Sequence, residues 1–197
     1  MHDSVNPMPN LHVIVCSTRP GRIGLAIGEW FAEQARLHDG FNVRLVDLKE
    51  VDLPMFNEAT HPMRMQYEHE HTKRWSETIK EADAFVFVTP EYNHSFNAAL
   101  KNAIDYLYHE WKFKPAAIVA YGGVSGGNRA IQSLKPILTA LDMGPISNTV
   151  AITGVEEHIV NNKFESNEAY NGSTHVLLEA LLRMQTAFAP LRPALQT

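Results

Sequence analysis

The sequence predicts an α/β domain: a five-stranded parallel sheet with helices on both faces. Three observations predict it. Five short, apolar, β-branched runs alternate with five helical patterns. The strand runs are continuously apolar, as strands buried on both faces should be. The length, 197 residues, suits one domain with a full core.

Taken in order, residues 1–10 (MHDSVNPMPN) read as a flexible arm. LHVIVCS (11–17) is a first, buried strand. In GRIGLAIGEWFAEQARLH (21–38), Ile23, Ile27, Trp30, Phe31 and Ala35 recur at helical spacing. FNVRLVDL (41–48) is a second strand, and residues 49–70, polar and carrying Pro54 and Pro62, read as a long loop. TKRWSETIKEAD (72–83) is a helix and AFVFVTP (84–90) a third strand. SFNAALKNAIDYLYHE (95–110) follows as a helix with Phe96, Leu100, Ile104 and Leu107 in one stripe. PAAIVAYGG (115–123) is a fourth strand, and NRAIQSLKPILTAL (128–141) a helix that tolerates Pro136 at a kink. ISNTVAIT (146–153) is the fifth strand, 154–169 a polar loop, and STHVLLEALLRMQTAFA (173–189) the closing helix. The domain runs over 11–190, with 191–197 a tail and no internal repeat.

Right-handed crossovers leave few topologies for such a chain, and five strands suit the order 2-1-3-4-5, the flavodoxin-like arrangement. There the winding reverses between strands 1 and 3, so the loops after them splay apart and open a crevice. CSTRPGRIG and TPEYNHS, distant in sequence, should therefore line one site, with YGGVSGG flanking it.

STRPGR (17–22) joins a strand to a helix start, where unpaired N–H groups favour anions. Ser17 and Thr18 add hydroxyls, Arg19 and Arg22 add cations, and Pro20-Gly21 permits the turn. The set suits a terminal phosphate. It matches neither G-x-x-x-x-G-K-[ST] nor G-x-G-x-x-G. The plain alternative is a capped helix start with two solvated arginines, and Asp47, ending strand 2, reads as a turn residue. Cys16 and Arg22 also spell C-x5-R, the pattern of cysteine phosphatases. Against that, Cys16 falls inside the apolar strand, Ile23 stands where those enzymes carry Ser or Thr, and no late Asp-Pro supplies a general acid.

In PEYNHS (90–95), Pro90 stops the strand, Tyr92 offers a ring, and Asn93 offers donors and acceptors to a heterocycle. The plain alternative is a turn whose Asn or Ser caps the next helix; Glu91 reads as structural rather than catalytic. YGGVSGGNRA (121–130) places four glycines in six residues, which lets backbone approach a ligand, and Ser125 helps start the next helix. His69 and His71 read as solvated rather than metal-bound, and His94 has no acid partner in the sequence.

These three loops resemble the NADPH-dependent FMN reductase family, which includes quinone and azo-compound reductases. The resemblance spans residues 11–152 and is most specific in PEYN followed by LKNAIDYL. It implies FMN, with its phosphate on Ser17, Thr18, Arg19 and Arg22 beside Ile23. It implies ribityl chain and ring system along Pro90, Glu91, Tyr92 and Asn93, and the glycine loop of Tyr121, Gly122, Gly123 and Ser125 near the ring. One departure stands out: Phe96-Asn97-Ala98 replaces an aromatic-Pro-Gly triplet found in many members. The implied activity is hydride transfer from NADPH or NADH to FMN, then onward to a quinone, flavin, azo compound or metal oxyanion. No catalytic side chain and no metal is implied. An electron-carrier flavodoxin is the second reading; a net charge of −5 and two arginines in the phosphate loop argue against it.

Composition fits a cytoplasmic enzyme with a small-molecule partner. A net charge of −5 with no Lys/Arg block gives no footprint for nucleic acid. No apolar run reaches the ~20 residues of a membrane span, the start lacks a signal peptide's apolar stretch, and the single cysteine fits a reducing compartment. Family members usually form dimers or tetramers. Segment 49–70 and YLYHEW, with Tyr106, Tyr108 and Trp111, are expected to form a twofold interface near the site.

Overall fold

A computed structural model describes residues 7–192 of the chain. Five parallel strands, β1 (Asn10–Val15), β2 (Asn42–Asp47), β3 (Ala84–Pro90), β4 (Pro115–Tyr121) and β5 (Gly144–Ile152), pair in the order β2-β1-β3-β4-β5. This is the flavodoxin-like arrangement expected from the alternation of strands and helices. Each of β3 and β4 is buried at every residue, as their unbroken apolar runs require.

The two faces of the sheet are packed differently, and β3 shows why. Its Ala84, Val86 and Val88 point to one side, Phe85 and Phe87 to the other. The small side chains let helices α1 (Gly24–His38) and α6 (Glu168–Phe188) sit close, with Ile27, Phe31 and Leu177 filling the layer. The two phenylalanines meet Trp111, and with Trp75 and Leu134 they fill the layer under α3 (Glu70–Lys80), α4 (Ala98–Asp105) and α5 (Asn128–Ala140).

Several elements depart from the sequence expectation. Helix α4 ends at Asp105 rather than reaching residue 110; Tyr106, Leu107 and Trp111 then turn inward and are almost wholly buried. Trp111 Nε1 donates to the Ile104 carbonyl, and Tyr106 Oη donates to Pro54 O. Tyr106 and Trp111 are therefore core, and only Tyr108, half-buried, is left of the aromatic face expected there. The long loop 49–70 contains a one-turn helix α2 (Leu48–Val51) and a 3-10 turn (Pro62–Arg64). Asn102 holds it through Nδ2 to Pro54 O and Oδ1 from Phe56 N. His71 meets Asn57 Oδ1 in the same knot, and among the described residues no group of His, Cys, Asp and Glu could hold a metal.

Residues 154–169 are more ordered than a loop. A 3-10 turn (Val155–His158) leads into a two-stranded hairpin, β6 (Ile159–Val160) and β7 (Lys163–Phe164). Asn161 and Asn162 both take positive φ, the geometry of a type I′ turn, which asparagine accepts readily. At the chain ends, Asn10 opens β1 rather than closing an arm, and residues 1–6 and 193–197 lie outside the described residues. No described helix is long and apolar enough to cross a membrane.

Candidate functional site

At the carboxyl ends of the strands lies a cavity of about 430 Å³, within the range of small-molecule sites. Arg19, Arg22 and Ile23 line one wall, Pro90, Glu91 and Tyr92 a second, and Tyr121, Gly122 and Gly123 a third. The two loops that diverge between β1 and β3 thus do meet across a crevice, as the topology demands. Asn97 fixes their spacing. Its buried Nδ2 donates to Cys16 O at 2.6 Å, while its Oδ1 accepts from Thr89 Oγ1 at 3.2 Å. This residue, which departs from the familial triplet, ties the end of β1 to the end of β3. In the sequence it shows only as that departure.

At the start of α1, the Ser17 hydroxyl is buried and makes no well-formed hydrogen bond among the described residues; the Tyr121 hydroxyl is its polar neighbour. Gly24 opens the helix beside it. A Cβ on Gly24 would lie 2.4 Å from Ser17 Oγ and 2.3 Å from Tyr121 Oη, so a side chain there would fill the space between the two hydroxyls and the helix. No side chain caps α1, and its first turn carries no acid. The helix end therefore keeps its unpaired N–H groups and its partial positive charge. Burial pushes the Tyr121 phenol above its usual pKa, so at neutral pH it is a donor.

The two arginines of this loop behave differently. Arg22 is clamped: both guanidinium nitrogens reach the Asp47 carboxylate, Nη1 at 2.5 Å to Oδ1, and Nη1 also donates to Ser17 O at 2.7 Å. Asp47 in turn accepts from Lys49 N at 3.0 Å and caps α2. Asp47 is thus more than a turn residue, and Arg22 is a brace of the loop before it is a ligand for anything. Arg19 is exposed and has no ion-pair partner among the described residues. The signal for the clamp was in the register: Asp47 ends β2 directly beside Val15, the last residue of β1.

Residues 92–95 form a miniature hairpin. Tyr92 N donates to Ser95 O at 2.8 Å and Ser95 N to Tyr92 O at 3.0 Å, with Asn93 and His94 both at positive φ. This type I′ turn presents Tyr92 to the cavity and puts Asn93 at its tip, away from the lining. Neither Asn93 nor Ser95 caps a helix; α4 begins only at Ala98. Glu91 points back into the protein. Its carboxylate accepts from Arg129 N and Arg129 Nη1, each at 3.1 Å. Burial raises its pKa, but hydrogen bonds from Ser125 and Arg129 outweigh burial and hold it below the usual carboxylate range. Glu91 therefore stays charged and fastens the start of α5, which agrees with a structural role. Ser125 stands behind it rather than in the lining, and Thr18 opens onto a separate cleft with Lys49 and Asn102.

A fourth wall lies beyond the three loops expected from the sequence. Gly154, Val155, Glu156 and Glu157, just past β5, complete the cavity. Gly154 N donates to Gly123 O and Val155 N to Gly122 O, so this turn is stitched to the glycine loop. A polar stretch at the same edge as the other three loops was the available signal.

The C-x5-R reading fails on Cys16. The thiol is fully buried, burial pushes its pKa up, and its Sγ donates to Ile14 O at 3.3 Å. A thiolate nucleophile needs the opposite environment.

Comparison with known proteins bears on the whole region. The model of the family described as NADPH-dependent FMN reductase matches residues 9–157, a span that takes in every cavity-lining residue. The chain is 42% identical over 154 residues to an NAD(P)H-dependent FMN reductase of Schizosaccharomyces pombe, covering 77% of this chain and 76% of that protein. It is 33% identical over 149 residues to a quinone reductase of Pseudomonas putida, covering 73% and 76%. Among solved structures, the flavoenzyme NAD(P)H:(acceptor) oxidoreductase FerB of Paracoccus denitrificans superposes with a TM-score of 0.74. It is 24% identical and covers 91% of this chain and 98% of that one.

Proposed function

The chain belongs to the NADPH-dependent FMN reductase family, and from that premise we propose that it is an NAD(P)H-dependent reductase of small-molecule acceptors such as quinones and azo compounds. The observation that carries the reading is the α1 start: a buried Ser17 hydroxyl without a well-formed hydrogen bond, a glycine-lined gap and an uncapped helix end, all in one place. That donor set fits the terminal phosphate of FMN. Ser17 and the first N–H groups of α1 would hold it, with Arg19 as the free cation and Arg22 keeping the loop in shape. Pro90, Tyr92, Gly122 and Gly123 would form the walls along the ring system, and Asn97 would keep those walls at their spacing. FMN supplies the hydride chemistry between nicotinamide and acceptor. The protein's part is to bind, orient and cover, so no acid or base is assigned.

The quinone and azo relatives motivate the acceptor class. A carrier role is the weaker reading, because the relatives at 30% identity or more are named as reductases. A twofold dimer belongs to this proposal on new grounds. Met55, Phe56 and Met63 of segment 49–70 are exposed, whereas Tyr106 and Trp111 are not. A cytoplasmic setting rests on the lone, buried Cys16 and the composition.

The test is reconstitution. Purified protein should take up FMN in preference to FAD and riboflavin, then oxidise NADPH or NADH with a quinone under argon. No uptake of FMN, or uptake without nicotinamide turnover, sinks the reading. Light scattering should give about twice the 22.1 kDa chain mass.

A further inference from the structure

Five charged residues border the cavity, and they divide into two sets. Arg22 is neutralised by Asp47, and Glu91 by Arg129. Arg19, Glu156 and Glu157 have no ion-pair partner among the described residues. The cavity is thus polarised, with one free cation on the β1 loop and two free carboxylates on the wall past β5. The acidic wall is held in place. Glu157 N donates to Gly154 O at 2.9 Å, and the Glu157 carboxylate atoms lie 3.6–3.7 Å from the point where a Gly154 Cβ would stand. Gly154 itself is bonded to Gly123, so the carboxylate sits against the backbone that borders the glycine loop.

We propose that Glu156 and Glu157 set the charge class of the electron acceptor, favouring neutral and cationic acceptors over anionic ones. The proposal rests on the reading of this cavity as the flavin and acceptor site. A phosphate ester carries about 1.5 to 2 negative charges near pH 7, and it takes up the field of Arg19. What remains for an incoming acceptor is a rim with two carboxylates. Within a Debye length of roughly 8–10 Å, like charges in a partly enclosed site repel appreciably. The overall reaction with a quinone balances as NAD(P)H plus H⁺ plus quinone giving NAD(P)⁺ plus hydroquinone. The two carboxylates take no part in it; they bias which quinone approaches.

The experiment uses the FMN-loaded protein and two quinones, neutral menadione and anionic 1,4-naphthoquinone-2-sulfonate, at saturating donor. The readout is the ratio of kcat/KM for the sulfonate to that for menadione, which cancels common effects on turnover. In the double variant Glu156→Gln/Glu157→Gln this ratio should rise about three- to tenfold at low salt. In the parent it should rise as salt is raised, and in the variant it should stay flat. A matched pair outside the cavity, Glu165→Gln/Glu168→Gln, should leave the ratio where it was. Equilibrium binding gives a readout free of turnover. The dissociation constant of naphthalene-2-sulfonate, followed by perturbation of the bound-flavin spectrum, should fall relative to that of naphthalene-2-carboxamide. A ratio changed less than threefold, or changed equally by the matched pair, overturns the proposal. Failure of the parent to take up FMN overturns the functional reading as well, whereas normal uptake with an unaltered ratio overturns this proposal alone.

Discussion

The loop from β1 to α1 and the loop from β4 to α5 are built alike. Each leaves a strand whose end is buried, each starts a helix whose N-cap residue offers no side-chain cap, Ile23 at α1 and Gly127 at α5, and each uses glycine. Yet the first is open to an anion and the second is already closed. At α5 the Glu91 carboxylate accepts from Arg129 N and occupies the helix start. At α1 nothing among the described residues does so, and the Ser17 hydroxyl beside it makes no well-formed hydrogen bond. The glycines differ in the same sense. Gly24 leaves room at the Ser17 and Tyr121 hydroxyls, of which Tyr121 lines the cavity. Gly127, at φ 88°, leaves room for the protein itself: a Cβ there would stand 2.5 Å from Ala120 Cβ and 2.7 Å from Tyr121 N. A glycine-rich string therefore marks close passage of backbone, whether or not a ligand is what comes close.

The sharpest way to break this comparison is Gly127→Ala. Both the left-handed backbone and the contact with β4 are fixed by atoms that cannot give way. Strain and overpacking together should cost about 3–5 kcal/mol, a fall in melting temperature of roughly 10 °C for a domain of this size. Calorimetry of the flavin-free protein reads it directly. An unshifted transition would mean that the second loop is as pliable as the first.

Gly24→Ala should act on binding instead. The groups that must move are the Ser17 and Tyr121 hydroxyls, so the loss falls on the anion end of the cavity. With two hydrogen bonds disturbed, FMN affinity should drop by about 2–3 kcal/mol, roughly thirty- to a hundred-and-fiftyfold. Fluorescence titration measures it, and near-parental affinity would detach the phosphate from α1.

The two arginines sharpen the point inside one loop. Arg19→Ala removes a free cation and should weaken FMN by about 1.5–3 kcal/mol, while riboflavin, which lacks the phosphate, binds as before. Arg22→Ala leaves Asp47 without its partner and unties Ser17 O, so it should lower the melting temperature as well as affinity. Equal effects of Arg22→Ala on FMN and riboflavin would mark Arg22 as a brace; a loss confined to FMN would show that it reaches the phosphate after all.

How far the sequence could be read follows from the range of the forces involved. Strands β1, β3 and β4 are legible because burial on both faces writes itself as an unbroken apolar run. The topology and the crevice follow from strand count and handedness. What stayed hidden depends on partners far apart in the chain. Arg22 reads as a phosphate ligand until Asp47, 25 residues on, is seen to hold it. YLYHEW reads as surface if α4 runs past Asp105; once the helix stops, Tyr106 and Trp111 turn into the core, Trp111 against Phe85 and Phe87. Asn97 looks like a departure from a motif until it is seen to join Cys16 and Thr89 across two strand ends. Glu156 and Glu157 show in the sequence only as part of a polar stretch; it is the return of β5 to the same edge that brings them to the site.

The smallest expected effect is the most discriminating. Gly123 lines the same cavity as Gly122, but a Cβ on it would meet nothing within 4 Å, and its φ is not in the left-handed range. Neither backbone strain nor packing therefore demands glycine there. Gly123→Ala should change stability by no more than about 0.5 kcal/mol, and the reduced freedom of the unfolded chain tilts the sign towards stabilisation. Any effect on FMN affinity then has a single source, the methyl group standing at the cavity wall. The contrast with Gly127→Ala, four residues away in the same string, separates the glycine needed by the fold from the one bordering the ligand. Equilibrium urea unfolding of the flavin-free protein checks the first half, and the FMN titration already described checks the second. A Gly123→Ala protein as unstable as Gly127→Ala would erase the distinction and return the whole loop to a purely structural role.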